Sequence, residues 1–179
     1  GRLQRNKGVD ILVQALNRIA HRHDIELVVV GEGPEEPRIR SLIAGARVRF
    51  VSRITEPQLF DLYGRVDALT FACFNAGQPT VIMEAMARER PIIASDIDGV
   101  PPMVHADNGF LVNPGDIAGL AEAMECFLAL PEAERRRMGE VSRRRVQEKF
   151  TWKTAALQTL RVFEDVVAQR GRGEAGTRS

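Results

Sequence analysis

Ala68-Leu-Thr-Phe-Ala-Cys-Phe-Asn-Ala-Gly-Gln-Pro-Thr-Val-Ile-Met-Glu-Ala-Met-Ala-Arg-Glu-Arg-Pro-Ile-Ile-Ala-Ser95 is the stretch that decides the fold. Ala68 to Cys73 is apolar and short, the pattern of a buried strand. Asn75 to Pro79 is a loop of small residues. Thr80 to Arg88 has helical character, with Thr80 as a cap or first-turn residue. Pro91 to Ser95 is again a short apolar run. Strand, loop, helix and strand within 28 residues make a parallel crossover unit, which needs a sheet with helices on its faces.

The same alternation extends outward. Toward the amino end, Val9 to Arg22 carries apolar residues at 9, 12, 13, 16 and 19 and reads as a helix. Ile25 to Gly31 reads as a strand buried on both faces. Glu35 to Ala44 follows as a short helix, Val48 to Val51 as a strand, and Glu56 to Val66 as a helix. Toward the carboxyl end, Gly109 to Val112 is a last short strand. Helices are expected over Asp116 to Leu130, Glu132 to Phe150 and Thr151 to Arg170, then a polar, glycine-rich tail over 171–179. The fold class is therefore α/β: a three-layer α/β/α, Rossmann-like parallel sheet with C-terminal helices, one domain over residues 1–170.

Composition agrees with a single globular domain. The 179 residues are 44% hydrophobic and 27% charged, and the net charge of +1 gives no reason to expect nucleic acid as a partner. A domain of this length buries roughly two thirds of its unfolded surface and needs no staples. Its two cysteines, Cys73 and Cys126, lie in apolar surroundings without metal-ligand spacing. They are expected to be buried thiols of a reducing compartment, the cytoplasm. No apolar run approaches the ~20 residues of a membrane helix, and no signal peptide is visible. The chain opens on the polar Gly1-Arg-Leu-Gln-Arg-Asn-Lys7, without an initiator methionine or a strand before the first helix. A piece cut from a longer protein is the expectation.

Parallel sheets of this kind bind ligands beyond the carboxyl ends of their strands. That rule selects the loops 31–35, 52–56, 73–80 and 95–103, with 1–7 joining them if a strand normally precedes it. Gly77, Gln78, Pro79, Thr80 and Val81 run into a helix whose first N–H groups and dipole suit a phosphate. A plain strand-to-helix turn would need the same glycine. Gly31-Glu-Gly-Pro34 is neither a Walker loop nor a dinucleotide fingerprint. Arg2 and Lys7 flank the first helix and either face a diphosphate or are solvated charges. Glu84 stands in the otherwise apolar Val81-Ile-Met-Glu-Ala-Met-Ala87. It either escapes at the helix edge or accepts hydrogen bonds from a partner, ribose hydroxyls among the suitable donors. His21 and His23 read as surface residues at a helix end, and His105 follows a loop facing the same crevice. The arginines at 135–137 and 143–145 alternate with glutamates on one helix and read as a solvated face.

In order along the chain stand Gly1-Arg-Leu3 with Lys7-Gly-Val-Asp10, Leu27-Val-Val-Val-Gly-Glu-Gly-Pro34, and Val48-Arg-Phe-Val51. Leu59-Phe-Asp-Leu-Tyr63 with Val66-Asp-Ala68 comes next. Gly77-Gln-Pro79, Glu84-Ala-Met-Ala87 and Pro91-Ile-Ile-Ala-Ser95 form the strongest segment. Gly109-Phe-Leu-Val-Asn-Pro-Gly-Asp116 and Phe150-Thr-Trp152 complete the series. Together they resemble the retaining glycosyltransferases of the GT-B fold, group 1 type, which include bacterial mannosyltransferases, sucrose synthases and lipopolysaccharide glucosyltransferases.

The resemblance covers residues 1 to about 165. It implies the C-terminal, donor-binding domain of a two-domain hexosyltransferase, with transfer in the cleft against an N-terminal acceptor-binding domain. By position, Arg2 and Lys7 would hold the donor diphosphate and stabilise the departing charge. Glu84 would hold the ribose, and the amides from Gly77 to Val81 the sugar and phosphate. The backbone near Arg53 and Ile54 would meet the base edge. The donor would be a UDP-, GDP- or ADP-sugar, with no metal or other cofactor, and any membrane contact would belong to the absent domain.

Three departures stand beside this. Ala76 occupies the position of the family's sugar-contacting glutamate. Asp98-Gly-Val-Pro-Pro102 replaces a Gly-Gly-x-Pro-Glu pattern. The strand expected before Gly1 is missing. The isolated domain is therefore expected to bind nucleotide and to transfer sugar poorly. A non-catalytic relic or interaction module of the same fold is the second reading. A flavodoxin-like signalling domain is a third, although no acidic cluster is visible at its first strand.

Overall fold

A computed structural model describes the backbone of residues 1–175 and the side chains to residue 166. The crossover unit at the centre is as read. β3 (Leu69–Phe71) leads through a loop into α4 (Thr80–Ala87), which returns to β4 (Ile92–Ser95). Every residue of β4 is buried. Ile93 packs into one layer of core, and Ile92 and Ala94 pack into the other. A run without alternation is the expected signature of a strand covered on both faces.

Parallel pairing holds throughout. β4 lies between β3 and β5 (Gly109–Val112), and β1 (Glu26–Val30) pairs with β2 (Arg47–Val51). Among the described residues these strands form a pair and a trio, all parallel, as the Rossmann-like α/β reading expects. The reading of β1 as buried on both faces is corrected. Only Val29 of β1 is buried and Glu26 is exposed; Leu27 and Val29 pack into core clusters, whereas Val28 and Val30 on the other face join none and stay half-buried.

The three layers follow from helical spacing. α1 (Val9–Ile19) buries Leu12, Val13, Ala15, Leu16 and Ile19. α5 (Ile117–Ala129) buries Leu120, Ala121, Ala123, Met124 and Phe127. These two helices share one core with Ile93 and Ala72. On the opposite face, α3 (Glu56–Arg65) and α4 pack with Ile92, Ala94, Val100, Met103 and Val104, and Val146 of α6 (Glu132–Lys149) closes that core. A third cluster of Leu3, Val13, Val29 and Ile39 seals α1 and α2 (Glu36–Ser41) onto β1. Truncating a fully covered residue such as Ile93 to alanine would cost about 2–5 kcal/mol.

Local signals set the helix ends. The Asp116 carboxylate accepts from the Gly119 N–H at 2.9 Å and starts α5. Thr55 and Gln58 form a reciprocal capping box at the start of α3. α2 ends at Ser41, three residues short of the expected Ala44. Asn17 explains the early stop: its amide donates to the Leu42 carbonyl and accepts from the Ala44 N–H, drawing both groups out of the helix.

Two further expectations change. Cys73 is buried but Cys126 is exposed, since it falls between the inward positions 124 and 127 of α5. The arginines of α6 are mostly solvated and paired: Arg136 with Glu132, Arg137 with Glu134, and Arg143 with Glu89. Arg145 is the exception. Its side chain is only 14% exposed, and it donates to both Asp107 oxygens at 2.9 Å. α7 (Trp152–Ala175) carries the helix past the expected end at Arg170, and the last four residues of the expected tail lie outside the described residues. Trp152, Leu160, Val162, Phe163 and Val166 of α7 are all exposed. Among the described residues no helix is long and apolar enough to cross a membrane.

Candidate functional site

Residues 1–8 form a strap across the carboxyl ends of the strands. Leu3 donates to the Glu32 carbonyl at 2.9 Å and accepts from the Glu35 N–H at 3.3 Å. The Gly1 amine donates to the Val30 carbonyl at 2.5 Å. At the far end of the strap, Asn6 accepts from the Phe74 N–H at 3.0 Å, and its side-chain amide donates to Asn75 at 3.3 Å. The strap therefore ties the loop after β1 to the loop after β3. Gly31-Glu-Gly-Pro34 owes its glycines to this crossing. A Cβ on Gly31 would lie 1.7 Å from the Gly1 carbonyl oxygen, and one on Gly33 2.1 Å from that of Leu3.

Arg2 is exposed on the strap. Lys7 is half-buried at the end of a 3-10 turn, Arg5–Lys7, just before α1. The Gly1 ammonium is held below its ordinary value by burial first and by the Lys7 charge second, and Cys73 and Glu84 pull it back up. Burial raises the Cys73 thiol, while Lys7 and the Gly1 ammonium act against that shift. The Gly1 ammonium thus feels Lys7, Cys73 and Glu84, which places all three around the start of the strap.

The loop into α4 lies beside them. Pro79 precedes the helix, and no side chain caps it. Among the described residues nothing accepts from the N–H groups of Thr80 and Val81, which leaves donors at the positive end of the helix. Gly77 and Gln78 are exposed, and a Cβ on Gly77 would meet nothing within 4 Å. The loop is instead supported from behind. Gly99, at φ +84°, brings its backbone so close that a Cβ there would sit 1.5 Å from the Gly77 oxygen. Thr80 is the first helical residue and exposed, and among the described residues its hydroxyl has no hydrogen-bond partner.

Glu84, one turn into α4, is half-buried and has a partner that the sequence reading did not supply. The Tyr63 hydroxyl donates to Glu84 Oε2 at 3.2 Å. Burial first, and then the Glu84 charge, push the Tyr63 hydroxyl above its ordinary value. The signal lay in the sequence, since Tyr63 is the sole tyrosine and occupies the inward side of α3.

Arg53 and Ile54 occupy the loop between β2 and α3. Arg53 is 91% exposed, and its side chain pairs with Glu32 at 3.4 Å, beside the strap. The structure therefore brings the strap, the 73–80 loop, α4 and the 52–55 loop to one edge. His105 is not there. It sits in the turn that enters β5, where its carbonyl accepts from Asn108 and Gly109, at the amino ends of the strands. A chain segment that starts at the carboxyl end of β4 finishes at the opposite edge when it leads into a parallel neighbour. His23 faces Glu125 at 3.2 Å, also away from the site. Among the described residues no group of three His, Cys, Asp or Glu could hold a metal ion.

Two grooves, of about 390 and 680 Å³, lie elsewhere, around His21 to Ile25 with Arg47 and along α3 with Arg88. The carboxyl edge presents backbone donors at the start of α4 and the charges of Arg2, Lys7 and Arg53.

Known proteins share the sequence pattern and the fold. Residues 1–129 match the family described as glycosyl transferases group 1. The chain is 32% identical over 177 residues to a glycogen synthase of Mycobacterium tuberculosis, covering 96% of this chain and 42% of that protein. It superposes on sucrose-phosphate synthase from Thermosynechococcus elongatus with a TM-score of 0.78 at 31% identity, over 94% of this chain and 44% of that one. Anabaena HepE, solved in complex with UDP, shares the fold with a TM-score of 0.77 at 24% identity, over 92% and 47%. The chain spans less than half the length of each of these proteins. With its Rossmann-like layers, its strap of residues 1–8 and a family match over most of its length, this chain belongs to the glycosyl transferases group 1 family of GT-B glycosyltransferases.

Proposed function

We propose that this chain is the donor-binding domain of a retaining hexosyltransferase, holding a nucleoside-diphosphate sugar at the carboxyl edge of its strands. The observation that carries the reading is the tie from Asn6 to Phe74 and Asn75, which brings the Lys7 end of the strap to the loop that opens α4. Arg2 and Lys7 meet the diphosphate. The amides of Gly77 to Val81, with the Gln78 and Thr80 side chains, hold phosphate and sugar. Glu84 accepts from the ribose, and the backbone at Arg53 and Ile54 meets the base. Positive groups fixed before the reaction stabilise the charge that develops on the leaving diphosphate. The UDP complex of HepE supports a nucleotide of this kind for this chain. No metal takes part in this account.

The acceptor, in the same reading, is held by an N-terminal domain that supplies the other wall of the cleft, and this domain alone transfers little sugar. The exposed apolar side chains of α7 suit a helix that packs against that second body. Any membrane contact belongs there too. The cytoplasm is the compartment that fits the free thiols.

A second reading is a non-catalytic relic of the same fold, favoured by Ala76 and Pro102 where carboxylates are expected. Titration with nucleosides, nucleoside diphosphates and sugar nucleotides separates the two. Replacing Arg2 and Lys7 together by alanine should cost about tenfold or more in affinity for a diphosphate, from the loss of charge-assisted hydrogen bonds, and little for the nucleoside. Equal losses for both ligands would remove the diphosphate role. A folded chain that takes no nucleotide at all would favour the relic.

A further inference from the structure

We propose that Tyr63 is a positioning residue for Glu84, holding Oε2 with its hydroxyl so that Oε1 faces the ribose of the bound nucleotide. The inference rests on the donor-binding reading and adds a residue to it.

The geometry has three parts. Tyr63 is 5% exposed and lies within the same core as Ile82, Ala85 and Met86, so α3 and α4 cannot slide past each other without disturbing the phenol. Its hydroxyl reaches Glu84 Oε2 at 3.2 Å. The capping box of Thr55 and Gln58 fixes the other end of α3, directly after the loop of Arg53 and Ile54. One rigid helix therefore joins the loop assigned to the base with the carboxylate assigned to the ribose.

A half-buried carboxylate free to rotate would face ligand hydroxyls in only part of its rotamers. A phenol donating to one oxygen selects the rotamer before the ligand arrives, and an oxygen with no donor of its own is then available to the vicinal hydroxyls. The raised Tyr63 hydroxyl agrees, because a donor facing a carboxylate in a buried setting keeps its proton.

The test compares the parent chain with Tyr63→Phe, Glu84→Ala and the double variant, titrated with the best-bound nucleoside diphosphate and its 2′,3′-dideoxy analogue. Phenylalanine keeps the ring and its packing and removes only the hydroxyl. The expected result is a loss of about three- to tenfold for the ribonucleotide in Tyr63→Phe, the range set by one hydrogen bond to a charged group. The dideoxy analogue should bind parent and variant alike, and Tyr63→Phe should add nothing in the Glu84→Ala background. Tyr63 is the sole tyrosine, so its labelled Cζ gives a single NMR signal, which should shift with the ribonucleotide and stay in place with the analogue.

Unchanged ribonucleotide affinity in Tyr63→Phe, with Glu84→Ala still impaired, would overturn the positioning role and leave the ribose contact standing. Equal losses for both ligands would overturn it as well, by showing an effect of the fold. A Glu84→Ala variant that binds both ligands as the parent does would remove the ribose contact and the inference together.

Discussion

Gly77 and Gly99 lie back to back, and alanine should act on them in opposite ways. At Gly77 the added methyl meets nothing within 4 Å, and the residue is not among those at positive φ. Alanine there restricts the unfolded chain without straining the folded one, a gain of about 0.4–1 kcal/mol. In a protein of this length that raises Tm by roughly 1–4 °C. At Gly99 the backbone has φ +84°, and the methyl would lie 1.5 Å from the Gly77 oxygen. The left-handed conformation alone costs alanine about 1–2 kcal/mol, and the overlap forces the 75–79 loop to move. A Tm lower by roughly 4 °C or more is expected.

Binding should not follow stability. If the donor lies against the open side of the loop, the Gly77 methyl stands in its place. Affinity for a sugar nucleotide should then fall about tenfold or more, close to 1.4 kcal/mol, in a protein that has become more stable. Thermal unfolding followed by far-UV circular dichroism, with calorimetric titration of the same samples, measures both. A Gly77→Ala variant destabilised like Gly99→Ala would refute the geometric reasoning. A stable one that binds as well as the parent would refute the use of this loop.

Other outcomes follow from single features. Ala76→Glu should raise the preference for a sugar nucleotide over the bare nucleotide; the same ratio in both proteins would deny that position a part in holding sugar. Removing 152–179 should shift Tm by no more than about 2 °C, since none of the side chains from 152 to 166 is buried; a larger fall would show that α7 is held on the domain. The Tyr63 hydroxyl is raised in the folded protein, so the stability it contributes is complete below the ordinary tyrosine value of about 10 and is lost as pH climbs toward the folded value. Tyr63→Phe should therefore lose less stability above pH ~10 than the parent, and parallel curves would contradict the raised hydroxyl.

Much of this was legible in the residues. β4 is apolar at Ile92, Ile93 and Ala94 because both of its faces are covered, and a run without alternation says so directly. Asp116 announces α5 because a carboxylate before a helix satisfies a free N–H. What escaped depends on partners distant in sequence. How fully β1 is covered cannot be seen in its own composition, because burial is a property of what lies beside a strand. The side of α5 on which Cys126 falls depends on a phase shift of one residue. Gly31 and Gly33 match neither a Walker loop nor a dinucleotide fingerprint, and their freedom serves the crossing of the strap. Glu84 announced that it needed a donor, but only the docking of α3 on α4 supplied Tyr63.

The central claim is that a nucleotide sits on the carboxyl edge, and the most direct test is NMR mapping. The isotopically labelled chain would be titrated with UDP, GDP and ADP while its amide signals are followed. Saturable shifts from one nucleotide are expected, confined to residues 1–8, 31–35, 52–55, 73–84 and 96–103, and abolished in Glu84→Ala. Shifts gathered instead around His21, His23 and Arg47, or along α3 beside Arg88, would contradict it.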